Sequence, residues 1–79
     1  MLKKRENAMK TLRKVESSMV SALGYNPPTK ELKVVFHTGI TWIYKDIPQK
    51  VYDNLIKSHS IGMFMIRNII DCYKERRLN

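Results

Sequence analysis

The chain has 79 residues, with 15 lysines and arginines against 7 aspartates and glutamates, one cysteine and one tryptophan. That length predicts one small domain, which buries only about 60% of the surface its unfolded chain exposes, so deep catalytic clefts are not expected. The lone Cys72 has no disulfide partner, no Cys or Cys/His pair has zinc spacing, and no apolar run approaches membrane-spanning length. The basic start lacks the apolar stretch of a secretory signal, which with the single thiol predicts a reducing, cytoplasmic setting without metal or cofactor.

The formal net charge of +8 is loaded at the two ends. Residues 1–14 carry Lys3, Lys4, Arg5, Lys10, Arg13 and Lys14 against Glu6, and the C-terminal stretch carries Arg67, Lys74, Arg76 and Arg77 against Asp71 and Glu75. Between them the chain is nearly neutral. Such a field attracts polyanions and sets encounter rate and salt dependence. Met1 to Val15 has too little apolar surface to offset the entropy of ordering it alone, so it reads as a weak basic helix or a mobile arm, residues 1–15 preceding a domain over residues 16–79. Met9 offers an internal start within it.

Ser18 to Tyr25 reads as a first strand, stopped by Asn26, Pro27 and Pro28. Glu31 to Phe36 alternates as a second, and Ile40 to Lys45, rich in β-branched and aromatic residues, makes a third. Pro48 suits the first turn of a helix whose apolar face is Val51, Tyr52, Leu55 and Ile56, running to about His59. Ser60 can cap a second helix, and Gly62 allows a close helix–helix approach. In that helix Ile61, Met65, Ile69 and Tyr73 form a stripe widened by Ile66 and Ile70, with Arg67, Asn68, Asp71 and Lys74 outward and Arg76 and Arg77 at its C-terminal end. The predicted class is α+β, β-β-β-α-α: a three-stranded antiparallel meander with two helices packed on one face, preceded by the basic arm.

The turn between the second and third strands decides where the aromatics point, because a one-residue slip exchanges the faces. A two-residue turn at Thr38-Gly39 would pair Val35 with Trp42 and expose a stacking platform. A three-residue turn through His37, Thr38 and Gly39 pairs Phe36 with Ile40 and Val34 with Trp42, burying Trp42 and Tyr44 with Leu32, Val34 and Phe36. β-branched Thr38 disfavours the positive φ that the shorter turn needs, so the longer one is expected. The uncovered face then carries Val35 and Ile43 bordered by Lys33, Lys45 and Thr41.

Ser17-Ser18 through Gly24-Tyr25, Leu32, Val34, Phe36, Gly39, the pair Trp42 and Tyr44, Ile47-Pro48, Ser60-x-Gly62-x-Phe64, and Ile69 with Tyr73 together resemble the KTSC domain family over residues 16–78. The family takes its name from the C-terminus of certain lysyl-tRNA synthetases and also occurs as stand-alone bacterial and phage proteins. Its central Tyr-x-Tyr maps onto Trp42 and Tyr44, and its second-helix pattern has Asn and a basic residue where this chain has Ile66 and Ile70. The resemblance implies the α+β fold, a structural role for Trp42, Tyr44, Pro48, Ser60, Gly62, Phe64 and Tyr73, and, by association with the synthetase, RNA binding.

Candidates for chemistry are few. Ser58, His59 and Ser60 are adjacent in sequence, but a triad must converge in space with an orienting acid, and a capped helix–helix turn accounts for them. Cys72 reads as a small core or boundary residue. The expected function is therefore a non-enzymatic nucleic-acid-binding module, RNA before DNA. Phosphates would be contacted by the arm and by Lys33, Lys45, Arg67, Lys74, Arg76 and Arg77. The alternative is an adaptor or small inhibitor, phage-encoded in one version, docking a protein or a second copy through Val35 and Ile43 or through Met63, Phe64 and Met65. Adsorption of the arm to anionic lipid is a third, weaker reading.

Overall fold

The structure, a computed structural model, describes residues 12–79. The expectations for Lys3, Lys4, Arg5 and Lys10 fall outside that range. The described chain runs β1 (Arg13–Lys14), β2 (Val20–Asn26), β3 (Glu31–Phe36), β4 (Thr41–Tyr44), α1 (Gln49–Lys57), α2 (Ile61–Phe64) continued by a π-helical turn (Met65–Ile69), and β5 (Glu75–Arg77). The five strands form one antiparallel sheet in sequence order. The α+β class and the β2-β3-β4 meander match the expectation, but the sheet gains a strand on each edge. No helix among the described residues is long and apolar enough to cross a membrane.

Leu32 faces Tyr44, Val34 faces Trp42, and the Phe36 N–H donates to the Ile40 carbonyl at 3.0 Å. This is the three-residue turn, and Gly39 takes its positive φ of 94° without strain. The register turns Leu23, Leu32, Val34 and Tyr44 toward the helices, where they form one buried cluster with Val20, Ile47, Leu55, Ile61, Met65 and Ile69. Tyr25 and Tyr52 stack with ring centroids 4.8 Å apart, and the Tyr25 hydroxyl donates to the Ile47 carbonyl. These two contacts fix α1 against the sheet. Burial, then the Asp53 carboxylate, raises the Tyr25 pKa above its ordinary value, which keeps that donor protonated.

The chain enters the sheet through a turn in which the Ser17 hydroxyl accepts from the N–H groups of Met19 and Val20, each at 3.1 Å. Gly62 lies against this turn: a Cβ there would meet the Met19 Cβ and Sδ at 3.4 Å. Its small size therefore serves helix-to-turn packing, where a helix–helix approach was expected. The Ser60 hydroxyl caps α2 by accepting from the Met63 N–H at 3.2 Å.

The second helix ends much earlier than its apolar stripe predicts. The Ile70 N–H reaches back five residues to the Met65 carbonyl at 2.8 Å, and Asp71 then adopts a left-handed φ of 67°. Helical geometry stops there, so Lys74, Arg76 and Arg77 are not on a helix. The wider turn keeps Met65 and Ile69 in the core and leaves Ile66 at 55% exposure, away from the stripe it was expected to widen. Beyond it the chain pairs with β4. The Lys45 N–H donates to Lys74, the Leu78 N–H to Thr41, and the Asn79 side-chain amide bridges the Thr41 N–H and the Gly39 carbonyl. At the other edge Arg13 and Lys14, expected on a weak helix or arm, pair with Leu23 and Ala22.

Ser60→Ala should lower unfolding free energy by about 1 kcal/mol through the lost cap. An unchanged urea midpoint with an unchanged m-value would show that the hydroxyl contributes nothing to α2.

Candidate functional site

Both described helices bury against the Leu23/Leu32/Val34/Tyr44 side of the sheet, so the cross-strand pairs identify the opposite side. On it Lys14 faces Ala22, Ala22 faces Val35, and Val35 faces Thr41. In the next row Gly24 faces Lys33, Lys33 faces Ile43, and Ile43 faces Arg76. Lys45 and Lys74, joined by a backbone hydrogen bond of 2.9 Å, continue the alternation from Ile43 and Arg76. Asn26 and Glu31 pair at the same end. The face thus has a small apolar centre, Ala22, Val35 and Ile43, inside a margin of Lys14, Lys33, Lys45, Lys74 and Arg76, with Glu31 as its carboxylate. Five strands span about 19 Å across, at about 4.8 Å per step.

Sequence reasoning placed Lys33, Lys45, Val35, Ile43 and Thr41 together, and the register does so. It placed Lys74, Arg76 and Arg77 elsewhere, at the end of a helix. The structure instead splits them by strand alternation: Lys74 and Arg76 join Lys33 and Lys45, while Arg77 faces Trp42 on the helix side. Arg13, facing Leu23, lies on the helix side at the other edge. Arg67 is exposed on the π turn, remote in the chain fold from the basic margin, beside a shallow recess formed with His59, Phe64 and Asn68. Lys74-Glu75-Arg76-Arg77 has no apolar alternation to mark β5; the one local signal was Asp71, a residue type that tolerates the left-handed backbone at which the helix ends.

The remaining singled-out residues are fixed by packing. Pro48 precedes α1, Ser60 caps α2, Phe64 and Tyr73 pack half-buried against the core, and Trp42 lies half-buried at its edge. Tyr44 is 2% exposed, and burial, with the nearby carboxylates of Glu75 and then Asp71, pushes its pKa up to about 12. The Ser58 hydroxyl donates to the Ser60 carbonyl and accepts from the Ser60 N–H, while the Ser60 hydroxyl serves the cap. Neither hydroxyl faces His59 as a nucleophile would. His37 holds the β3–β4 turn to the start of β2, its Nε2 lying 2.8 Å from the Ser17 carbonyl oxygen. Cys72, expected in the core or at its boundary, is exposed because the helix has ended before it. Among the described residues no three His, Cys, Asp or Glu side chains are grouped to hold a metal ion.

Comparison with known proteins bears on the family and the fold. The model of the KTSC domain matches residues 16–73. A protein of Tsukamurella paurometabola is 39% identical over 51 residues, covering 65% of this chain and 76% of its own. An uncharacterized protein of Stutzerimonas stutzeri is 33% identical over 48 residues, covering 61% of this chain and 68% of its own. The crystal structure of a KTSC domain protein from Yersinia pestis superposes with a TM-score of 0.83 at 26% identity, covering 87% of this chain and 97% of that one.

Because the folded state holds the Tyr44 proton more tightly than the unfolded chain does, its stabilising contribution is complete below pH 10 and is lost between pH 10 and about 12. The urea midpoint of the wild type should therefore fall more steeply over that window than that of Tyr44→Phe. Parallel curves would show that the hydroxyl is not held in a desolvated site.

Proposed function

The chain belongs to the KTSC domain family, and from that premise we propose that it is a small non-enzymatic module binding single-stranded nucleic acid, RNA before DNA, through the basic face of its sheet. The observation that carries this reading is the convergence of Lys14, Lys33, Lys45, Lys74 and Arg76 from four different strands or their extensions onto one face. A charge run distributed around a surface would give only a net field, whereas this face offers several simultaneous phosphate contacts.

The shape of the face supports a single strand over a duplex. Both described helices lie on the far side, so among the described residues no helix projects from this face to enter a major groove. The apolar centre of the face is largely buried, with Ile43 at 3% and Ala22 at 8% exposure, so the cationic margin is what a flexible strand meets, its backbone following the charges. Base specificity from this face is low, since lysines and an arginine that contact phosphates carry no sequence information directly. The adaptor reading is supported by a different surface: Met63 is 43% and Ile66 55% exposed on the second helix, the exposed apolar groups of a protein contact.

Fluorescence-anisotropy titrations with single-stranded RNA at several salt concentrations should give affinity falling linearly in log[salt]. Lys33→Gln and Lys45→Gln together should reduce the slope by about 0.7 per lost phosphate contact. Arg67→Gln should leave it unchanged. An equal loss from all three substitutions would refute the sheet face as the site, and a salt-insensitive, stoichiometric protein complex would favour the adaptor.

A further inference from the structure

We propose that the cavity on the helix side of β4 receives one unpaired base of the bound strand, whose backbone passes over the edge strand β5. The inference rests on the nucleic-acid reading above and adds to it a second, chemically different site on the other side of the same edge. The cavity measures about 500 Å³, within the range that takes small planar ligands, and is walled by Phe36, Ile40, Trp42, Tyr44 and Ile70. Ile40, just before β4, alternates with Trp42 and Tyr44 on it, so the three form a floor about 13 Å long. Phe36, on the neighbouring strand, lies diagonally across from Trp42.

Three features select a base. The walls carry two half-buried aromatic rings, Phe36 and Trp42, and aromatic side chains are the sequence-tolerant platform on which unpaired bases stack. The lining also includes the polar residues His37 and Glu75, with Tyr44 at its inner wall. An acyl chain or an aliphatic side chain would desolvate those groups without pairing them, whereas the edge of a base carries the donors and acceptors they need. Charge supplies the third feature. Arg77 faces Trp42 on the cavity side of β5, and Arg76 and Lys74 lie on its other side. A phosphodiester backbone crossing β5 therefore meets cations on both sides while its base turns in beside Trp42.

Trp42 is the only tryptophan of the chain, so its fluorescence reports directly on the cavity. Full-length protein would be titrated with a mixed-sequence RNA 12-mer and with an abasic oligonucleotide of equal length, with anisotropy measuring binding and tryptophan emission measuring insertion. The RNA should quench Trp42 and bind about tenfold more tightly than the abasic strand, which should bind without quenching. Ile70→Phe, which fills the cavity, and Glu75→Gln should each weaken only the base-containing strand, leaving the abasic strand and the salt slope unchanged. Equal affinity and equal quenching for the two strands, with the salt slope intact, would overturn base insertion and leave the sheet-face reading standing. Failure of both strands to bind at low salt would remove both. Binding of 1-anilinonaphthalene-8-sulfonate that is abolished by Ile70→Phe, without any response to RNA bases, would assign the cavity to an apolar ligand instead. The strand comparison uses the wild type, so a variant that fails to fold does not blunt it.

Discussion

The outer edge of β4 needs hydrogen-bond partners, and the last third of the chain is shaped by supplying them. β4 has only four residues, and its free edge would present unpaired N–H and C=O groups beside an aromatic core. Lys74, Leu78 and both polar atoms of the Asn79 side chain close it, from the Lys45 N–H at one end to the Gly39 carbonyl at the other. To reach that edge the chain leaves the second helix at Ile70 and reverses through the left-handed Asp71. The π turn is part of the same solution. It inserts an extra residue before the exit, which keeps Met65 and Ile69 facing inward while Ile66 is turned to the surface.

Those requirements explain what could be read from the residues and what could not. The Phe36–Ile40 turn was legible because the information is local: Thr38 resists positive φ, Gly39 accepts it, and one turn length then sets the face of every residue from Leu32 to Tyr44. The Ser60 cap was legible for the same reason, since donor and acceptor lie three residues apart. β5 was not, because Ile61, Met65, Ile69 and Tyr73 continue a helical stripe that the chain abandons for a distant partner. Tyr73 still packs on the core, but from a non-helical segment. β1 was hidden in the same way. Arg13 and Lys14 have no apolar alternation of their own and become a strand only because Leu23 and Ala22 offer an edge. The basic face was half legible: Lys33 and Lys45 follow from the hairpin, whereas Lys14, Lys74 and Arg76 arrive with the strands that local pattern misses.

The two sides of the sheet carry different burdens. The helix side holds the fully buried residues that stabilise the domain, and against that core the Tyr25 hydroxyl is paired with the Ile47 carbonyl. The opposite side needs only enough apolar surface to hold the pleat, which Ala22 and Ile43 provide at 8% and 3% exposure. Cross-strand lysines beside that strip repel one another and cost some stability. A domain with so small a core tolerates this better on the face that contributes least to burial.

Strand alternation is what keeps the two surfaces distinct. In β5 the order Lys74-Glu75-Arg76-Arg77 sends Lys74 and Arg76 to the basic margin, and Glu75 and Arg77 to the side where Trp42 and Tyr44 lie. A slip of one residue would bring Glu75 in among the lysines and leave the cavity without its carboxylate. The bonds from Asn79 to Thr41 and Gly39 lock that register from beyond the end of the strand. Asn79 therefore stabilises more than an edge: it determines which charges lie on the basic face and which lie beside the cavity.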